Sequence, residues 1–183
     1  MSLSFLSPSS SAGDLLASPL ARALDTVSDT GSSPEGDGKP SGSEDTDNWR
    51  LRDLSLDGKV EIRGPVHLLD VGPGEELIRF SPRRGLLLVE EDPTRVVERL
   101  RGSGVLAFDM SAALAGLGFE GERVARRLTD LDLDRLPATG MFAKIGAVLV
   151  RDEGERFRVY FPQELGHYVA ECVLDAIAGL DNV

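Results

Sequence analysis

The sequence predicts an α+β fold with a largely antiparallel sheet and helices over one of its faces. Two observations carry this prediction. Short segments that alternate apolar and polar residues recur from residue 49 onward, and Gly- or Pro-containing turns separate them, which is typical of strands joined as hairpins. Longer segments instead repeat apolar residues at helical spacing, and the clearest of these follows Pro162.

Composition places the chain among ordinary globular proteins. It has 183 residues, of which 41% are hydrophobic and 28% charged, and a formal net charge of −11. Such an acidic surface argues against nucleic-acid or anionic-membrane partners, which need basic surface. No apolar run approaches the roughly 20 residues of a membrane-spanning helix.

Cysteine content and the N-terminal sequence indicate the compartment. Cys172 is the only cysteine, so neither an intrachain disulfide nor a cysteine-rich zinc site is expected. No basic residue precedes Arg22, so the basic region of a secretory signal is missing. We therefore expect a cytoplasmic protein.

Residues 1–48 are predicted to be a tail, and residues 49–181 a single α+β domain. Eight acidic and three basic side chains lie within residues 1–50, giving this part a net charge of about −5. Because it is rich in Ser, Gly and carboxylates, most of the tail cannot offset its ordering entropy and is predicted to be disordered. Residues 14–24 form a candidate docking segment that would use Leu15, Leu20 and Leu24, and a flexible tether is the alternative.

Strands are predicted over the first part of the domain. Residues 49–56 and 59–63 are expected to be half-buried strands joined at Asp57-Gly58. Turns at Gly72-Pro-Gly74 and at residues 81–85 separate further strands. These strands are predicted at residues 66–71, 76–80 and 86–89.

Helices alternate with strands after residue 91. Asp92 is expected to cap a helix that has Pro93 at its first position. Strands over 105–108 and 114–119 precede a second helix over about residues 121–129.

The clearest predicted hairpin joins residues 143–150 and 156–161. In its second strand the apolar side chains should face one side of the sheet and two polar ones the other. The apolar set is Phe157, Val159 and Phe161, and the polar set is Arg158 and Tyr160. Pro162 is then expected to open the last helix.

From residue 86 the predicted order is β-α-β-β-α-β-β-α. Its first six elements match the split β-α-β, or ferredoxin-like, arrangement. Many activities occur on that arrangement, so it does not by itself assign a function.

The stretch over residues 127–140 alternates carboxylates with leucines. Asp130, Asp132 and Asp134 resemble oxygen ligands for a hard cation, but the glycine and the bidentate glutamate of a calcium loop are missing. The stretch is interpreted as a connector whose leucines are buried and whose carboxylates face water.

No catalytic constellation is predicted. His67 and His167 lack partners that would orient them, although Glu164 could share a helix face with His167. Cys172 falls in the apolar stripe of the last helix and is expected to pack in the core. The arginines of the second helix, with Arg83 and Arg84, either bind an anion or acidic partner or form a solvated face.

Several short motifs follow one another in a characteristic order. They are Ser18-Pro-Leu-Ala21, residues 51–64, Phe108-Asp-Met-Ser111, residues 128–140 and Phe157-Arg-Val-Tyr-Phe-Pro162. In this order they resemble the gamma subunit of heterotetrameric sarcosine oxidase over roughly residues 17–180. A more distant resemblance is to the folate-binding domain of the glycine-cleavage T-protein.

This resemblance implies a T-protein folate-binding-domain-like fold and a noncatalytic subunit. Its partners would be larger flavin-bearing subunits, which would hold flavin and NAD. The complex would oxidise sarcosine or a related secondary amine and feed one-carbon metabolism. No cofactor of its own is implied for this chain.

Two alternatives stay open, a stand-alone tetrahydrofolate-binding, aminomethyltransferase-like protein and a scaffold domain without such partners. The Asp-Met-Ser-His motif of the T-protein corresponds here to Asp109-Met-Ser-Ala112, without the histidine. Asp109 is therefore the one candidate cofactor-binding residue, and no catalytic residue or metal ligand is predicted.

Overall fold

The structure, a computed structural model, describes residues 51–181 together with Ser18 and Leu20. The described strands are β1 (Leu51–Asp53), β2 (Gly58–Arg63), β3 (Glu75–Ser81), β4 (Arg84–Val89), β5 (Leu106–Asp109), β6 (Leu114–Glu120), β7 (Ala138–Phe142), β8 (Ile145–Arg151) and β9 (Arg156–Pro162). The described α-helices are α1 (Pro93–Leu100), α2 (Glu122–Leu128) and α3 (Gly166–Asp181). This confirms the predicted α+β class.

The strands form two antiparallel sheets. The five-stranded sheet has the order β1-β6-β9-β8-β7, and the four-stranded sheet has the order β3-β4-β2-β5. All their pairings are antiparallel, so the predicted single sheet is in fact divided in two. In the four-stranded sheet β4 and β5 flank β2 and are joined through α1, which is a split β-α-β unit.

Three apolar clusters arrange these elements in four layers. One cluster packs α2 and α3 on the five-stranded sheet, and a second packs α1 on the four-stranded sheet. The third joins the two sheets face to face, through Ile78 and Leu86 on one side and Val150 and Tyr160 on the other. We call the face that each sheet turns to the other its inner face.

Side-chain alternation explains how β4 and β9 fill this arrangement. Phe157, Val159 and Phe161 all lie in the cluster beneath α2 and α3, as predicted. Tyr160 instead lies in the cluster between the sheets. In β4 the two faces are both apolar, with Leu87 toward α1 and Leu86 toward the other sheet, because the strand is covered on both sides.

The expected joining of the first two strands at Asp57-Gly58 is wrong. β1 pairs with β6 and β2 pairs with β4 and β5, so the two strands belong to different sheets. The segment between them crosses from one sheet to the other, where Leu54 N donates to Gly116 O at 2.9 Å. Alternation alone does not specify which neighbour a strand acquires.

The connector over residues 127–140 contains the start of a strand that the sequence analysis missed. β7 pairs with β8, and the turn between them consists of Ala143 and Lys144, which the prediction had placed in a strand. Both residues have positive φ, 47° and 66°, as a tight two-residue hairpin turn requires. Neither is the Gly or Asn that usually marks such a turn, so the sequence signal was weak.

Two further boundaries differ from the predictions. The segment predicted as a strand at residues 66–71 is instead a 3-10 turn, Val66–Leu68, in which Leu68 is exposed, followed by irregular chain. It joins neither of the two described sheets. β9 runs to Pro162 and a 3-10 turn, Gln163–Leu165, precedes α3.

The predicted tail lies outside the described residues except for Ser18 and Leu20. Leu20 is fully buried in the cluster beneath α2 and α3. The Ser18 hydroxyl donates to the carboxylate of Asp53 and accepts from Leu20 N at 3.1 Å. These contacts are those expected of a docking segment within residues 14–24, which itself stays a prediction.

Candidate functional site

A cleft of about 690 Å³ opens at one end of the space between the sheets. We call it the Arg158 cleft after the arginine at its base. The segment that crosses between the sheets forms one wall, and the ends of β3 and β4 form another. Its lining residues are Arg52, Leu54, Leu56, Asp57, Gly58, Gly74, Glu75, Glu76, Leu88, Val89, Glu90, Asp152 and Arg158.

Arg158 ties the two sheets together at this cleft. Its side chain is only 12% exposed. The Nη1 and Nη2 atoms each donate to a Glu76 carboxylate oxygen at 2.7 Å, and Nη2 also donates to Asp152 Oδ1 at 2.6 Å. Burial alone would lower the pKa of Arg158, but the hydrogen bonds to Glu76 and Asp152 outweigh it and raise the pKa.

Lys59 supports the crossing segment, which forms one wall of the cleft. Although fully buried, its Nζ atom donates to Ser55 O at 2.9 Å and to Asp57 O at 2.7 Å. Burial lowers the pKa of Lys59, and the charges of Asp57, Asp53 and Asp109 oppose that shift. Its ammonium group thus fixes the crossing segment and is turned away from any ligand in the cleft.

Two carboxylates of the cleft are engaged by its arginine. Both oxygens of Glu76 and of Asp152 already accept hydrogen bonds from Arg158. No histidine, cysteine, serine or threonine is among the lining residues. A hydroxyl or thiol nucleophile is therefore missing from this lining.

Asp109, the candidate cofactor-binding residue, does not line the Arg158 cleft. It ends β5, is exposed, and its Oδ1 accepts from Ser111 N at 2.9 Å in a tight local turn. Ser111 in turn holds β2, because Lys59 N donates to its hydroxyl at 2.9 Å. A role of Asp109 in folate binding stays a prediction.

The aspartates of the connector are solvated, as interpreted from the sequence. Asp130, Asp132 and Asp134 are all exposed, whereas Leu133 is 1% exposed within the core. Asp132 caps a 3-10 turn and pairs with Arg135, and Asp134 pairs with Arg151. Within the described part of the chain no three histidine, cysteine or carboxylate side chains converge on a possible metal position.

The histidines, the cysteine and the arginines that the sequence analysis considered lie in different parts of the fold. His167 pairs with Glu171 at 3.0 Å instead of with Glu164, and His67 is exposed. Cys172 packs against the core beneath α3, as predicted. Arg84 begins β4 and Arg83 precedes it, in a different layer from the arginines of α2, so these arginines do not form one joint basic patch, which was one of the two alternatives.

A polar group that sequence reasoning missed lies on the inner face of the four-stranded sheet. Glu61 is nearly buried and accepts from Arg63 Nε at 2.9 Å and from Arg84 Nη2 at 2.7 Å. The hydrogen bond from Arg63 is the main reason that the pKa of Glu61 falls below its ordinary value of 4.5. Strand alternation gives a weak signal here, because Lys59, Glu61 and Arg63 share one face.

The ion pairs of Glu61 with Arg63 and Arg84 make the stability of the fold depend on pH. The pKa of Glu61 is lower in the folded than in the unfolded chain, so its contribution is present above about pH 4.5 and is lost as the pH falls through the folded-state pKa. We expect Glu61→Gln to lower the free energy of unfolding by about 1 kcal/mol at neutral pH, since both arginines are half exposed. As the pH falls into the acid range, the free energy of unfolding of the Glu61→Gln variant should decrease less than that of the wild type.

Urea denaturation between neutral pH and pH values below 4.5 measures both effects. Glu98→Gln, at an exposed position on α1, is the matched control and should reproduce the wild-type profile. A Glu61→Gln profile parallel to that of the wild type throughout would contradict the assigned ion pair.

No family model matches the sequence, and no curated protein does so. A chain in the structure of heterotetrameric sarcosine oxidase from Corynebacterium sp. U-96, in complex with pyrrole 2-carboxylate, has a similar fold. Its TM-score is 0.64 at 19% sequence identity, and the match covers 90% of this chain and 96% of that chain.

The likeness shows a shared α+β fold. Since the match covers nearly all of both chains, the two are also similar in length. Within the described residues no helix is both long and apolar enough to cross a membrane.

Proposed function

We propose that this chain is a noncatalytic gamma-type subunit of a heteromeric, sarcosine oxidase-like flavoenzyme. The complex would carry out oxidative N-demethylation of sarcosine or a related secondary amine, linked to tetrahydrofolate one-carbon metabolism. One observation carries the proposal: the fold match to a chain of a heterotetrameric sarcosine oxidase extends over almost the full length of both chains.

The internal architecture supports a noncatalytic role. The described sheets contain only antiparallel pairings, whereas dinucleotide-binding folds use parallel strands with a glycine-rich turn before a helix. Three polar side chains of the Arg158 cleft, those of Arg158, Glu76 and Asp152, are engaged in holding the two sheets together. Flavin and NAD are accordingly assigned to the larger partner subunits.

Co-purification tests this function. The tagged full-length chain would be co-expressed with the flavin-bearing subunits of a heterotetrameric sarcosine oxidase, and the eluate assayed for flavin absorbance and sarcosine oxidation. We expect the isolated chain to be colourless and inactive, and the complex to contain both flavin and oxidase activity. A chain that retains no flavoprotein would overturn the proposal.

Titration with tetrahydrofolate separates the main alternative. Because Asp109 is exposed and outside the cleft, we expect calorimetry of the isolated chain to show no saturable heat. Saturable binding that Asp109→Ala abolishes and Asp130→Ala leaves intact would instead support the aminomethyltransferase-like alternative. Asp130 is a suitable control because it too is exposed.

A further inference from the structure

β5 is an edge strand with an open backbone edge. It ends the order β3-β4-β2-β5, with β2 on one side and no described strand on the other. Met110 N donates to Lys59 O at 2.8 Å. By antiparallel alternation, the backbone groups of Leu106 and Phe108 turn toward β2, and those of Ala107 and Asp109 turn outward. Those outward groups have no backbone partner among the described residues.

Two large apolar side chains beside this edge are exposed. Leu106 is 63% and Phe108 42% exposed. Phe108 lies opposite Glu61, which in turn lies opposite Leu86, so Phe108 belongs to the inner face of the sheet. The other sheet covers Leu86 but does not extend over β5.

The other described edge strands are better protected than β5. β3 carries Glu75, Glu76 and Arg79 and has a register shift after Arg79. β7 is capped by Thr129, whose hydroxyl donates to Met141 O at 2.6 Å. β1 has only three residues. Charges, backbone irregularities, covering segments and short length are the usual protections of a free edge. β5 is also short, with four residues, and has one charge, Asp109, at its end, but no register shift or covering residue is described along it.

The side chains next to β5 on the inner face are basic. Arg63 lies directly opposite Leu106, and Arg84 is the next residue across the sheet. Both are more than half exposed, and the single carboxylate between them, Glu61, is shared. The Arg63 guanidinium lies 5.2 Å from the centre of the Phe108 ring. Two guanidiniums and one carboxylate give this surface a formal charge of +1, on a chain whose net charge is −11.

We propose that β5 is a docking strand for an extended segment of a partner subunit, which pairs with its open edge as a fifth strand. The bound segment would carry apolar side chains over Leu106 and Phe108 and carboxylates beside Arg63 and Arg84. Such strand addition combines main-chain hydrogen bonds with alternate side-chain contacts. The inference rests on the proposed subunit role and names the surface that serves it.

A second copy of this chain is a poorer occupant. Pairing of β5 with itself would bring two sets of Arg63 and Arg84 toward each other. It would also join two chains that each carry a net charge of −11. An acidic segment of a different chain instead complements the arginines.

Variants in the co-expressed complex test the docking strand. Leu106→Asp places a charge in the contact, and Ala107→Pro removes an outward N–H donor, which an edge strand tolerates structurally. We expect each to lower retained flavoprotein by about tenfold or more, as at an interface hot spot. Leu56→Asp is the matched control, since Leu56 is 68% exposed but lines the Arg158 cleft.

Thermal melting of the isolated variants should match the wild type, which separates lost docking from lost folding. In the intact complex, amide exchange at residues 107 and 109 should be slowed relative to the free chain. The variant Arg63→Gln should weaken the dependence of retention on salt, because it removes one of the two guanidiniums offered to the bound carboxylates. Full retention by Leu106→Asp and Ala107→Pro would overturn the inference while leaving the proposed function standing.

If the wild type retains no flavoprotein, the proposed function fails. A peptide probe then tests separately whether β5 binds an extended segment. An end-blocked peptide of alternating valine and glutamate should then bind saturably to the wild type and not to Ala107→Pro. The corresponding valine–lysine peptide should not bind. Absence of binding by the first peptide, or concentration-dependent dimerisation that Ala107→Pro abolishes, would overturn the assigned occupant.

Discussion

Replacing Arg158 with alanine is expected to lower the free energy of unfolding by about 2–3 kcal/mol. The nearly buried guanidinium joins Glu76 at the start of β3 to Asp152 after β8, so it connects the two sheets directly. Its removal leaves two carboxylates without their shared cation and a cavity where the aliphatic stem lay. Because the Glu76 side chain is 52% exposed, the cost stays below that of a fully buried pair.

Urea denaturation of Arg158→Ala, of two further single variants and of a double-mutant cycle measures this contribution. Arg158→Lys keeps the charge but loses the fork that reaches both carboxylates, so it should recover only part of the loss. Arg79→Ala is the control, since Arg79 is exposed on β3 and has no ion-pair partner among the described residues. A double-mutant cycle with Glu76→Gln should give a coupling of about 1 kcal/mol or more. An Arg158→Ala protein within about 0.5 kcal/mol of the wild type would contradict the assigned bridge.

Replacing Gly116 with valine is expected to cost about 2–3 kcal/mol, because the junction between the sheets has no room for a side chain there. A Cβ atom at this position would lie 2.9 Å from Tyr160 Cε1 and 3.0 Å from both the Cβ and the carbonyl oxygen of Leu54. Leu54 cannot move away freely, since its N–H donates to Gly116 O at 2.9 Å. Tyr160 is itself buried in the cluster between the sheets.

The same substitution at Gly146 is the matched control. Gly146 lies in β8 of the same sheet, and nothing lies within 4 Å of a Cβ atom built there. Valine should be neutral or slightly stabilising at that position, because it suits an extended strand better than glycine. Equal losses for Gly116→Val and Gly146→Val would mean that strand conformation, and not the close approach of Leu54 and Tyr160, accounts for the effect.

Much of the local structure could be predicted from the sequence. Asp92 caps α1 as expected, with its Oδ1 accepting from Thr94 N at 2.9 Å. The alternation in β9 and the buried Leu133 beside exposed aspartates were also predicted. These features depend on near neighbours in the chain, where periodicity and capping act directly.

The candidate site was less accessible from the sequence. Arg158 and Glu76 are 82 residues apart, and no motif connects them. Lys59 was predicted only as part of a strand, because burial of its ammonium group depends on how the crossing segment folds over it. Asp109 was singled out from a resemblance, and the structure places it at an open edge outside the cleft.

By itself the sequence determined the α+β class, most of the strands and helices, and which side of each amphipathic element is apolar. Only the tertiary structure decided that β1 and β2, adjacent in the chain, enter different sheets, and that β5 is left with exposed Leu106 and Phe108. The physical reason is that alternation specifies a buried face but not the neighbouring strand. Strand partners depend on how the two described sheets and the three described helices cover one another, and that involves residues far apart in the chain.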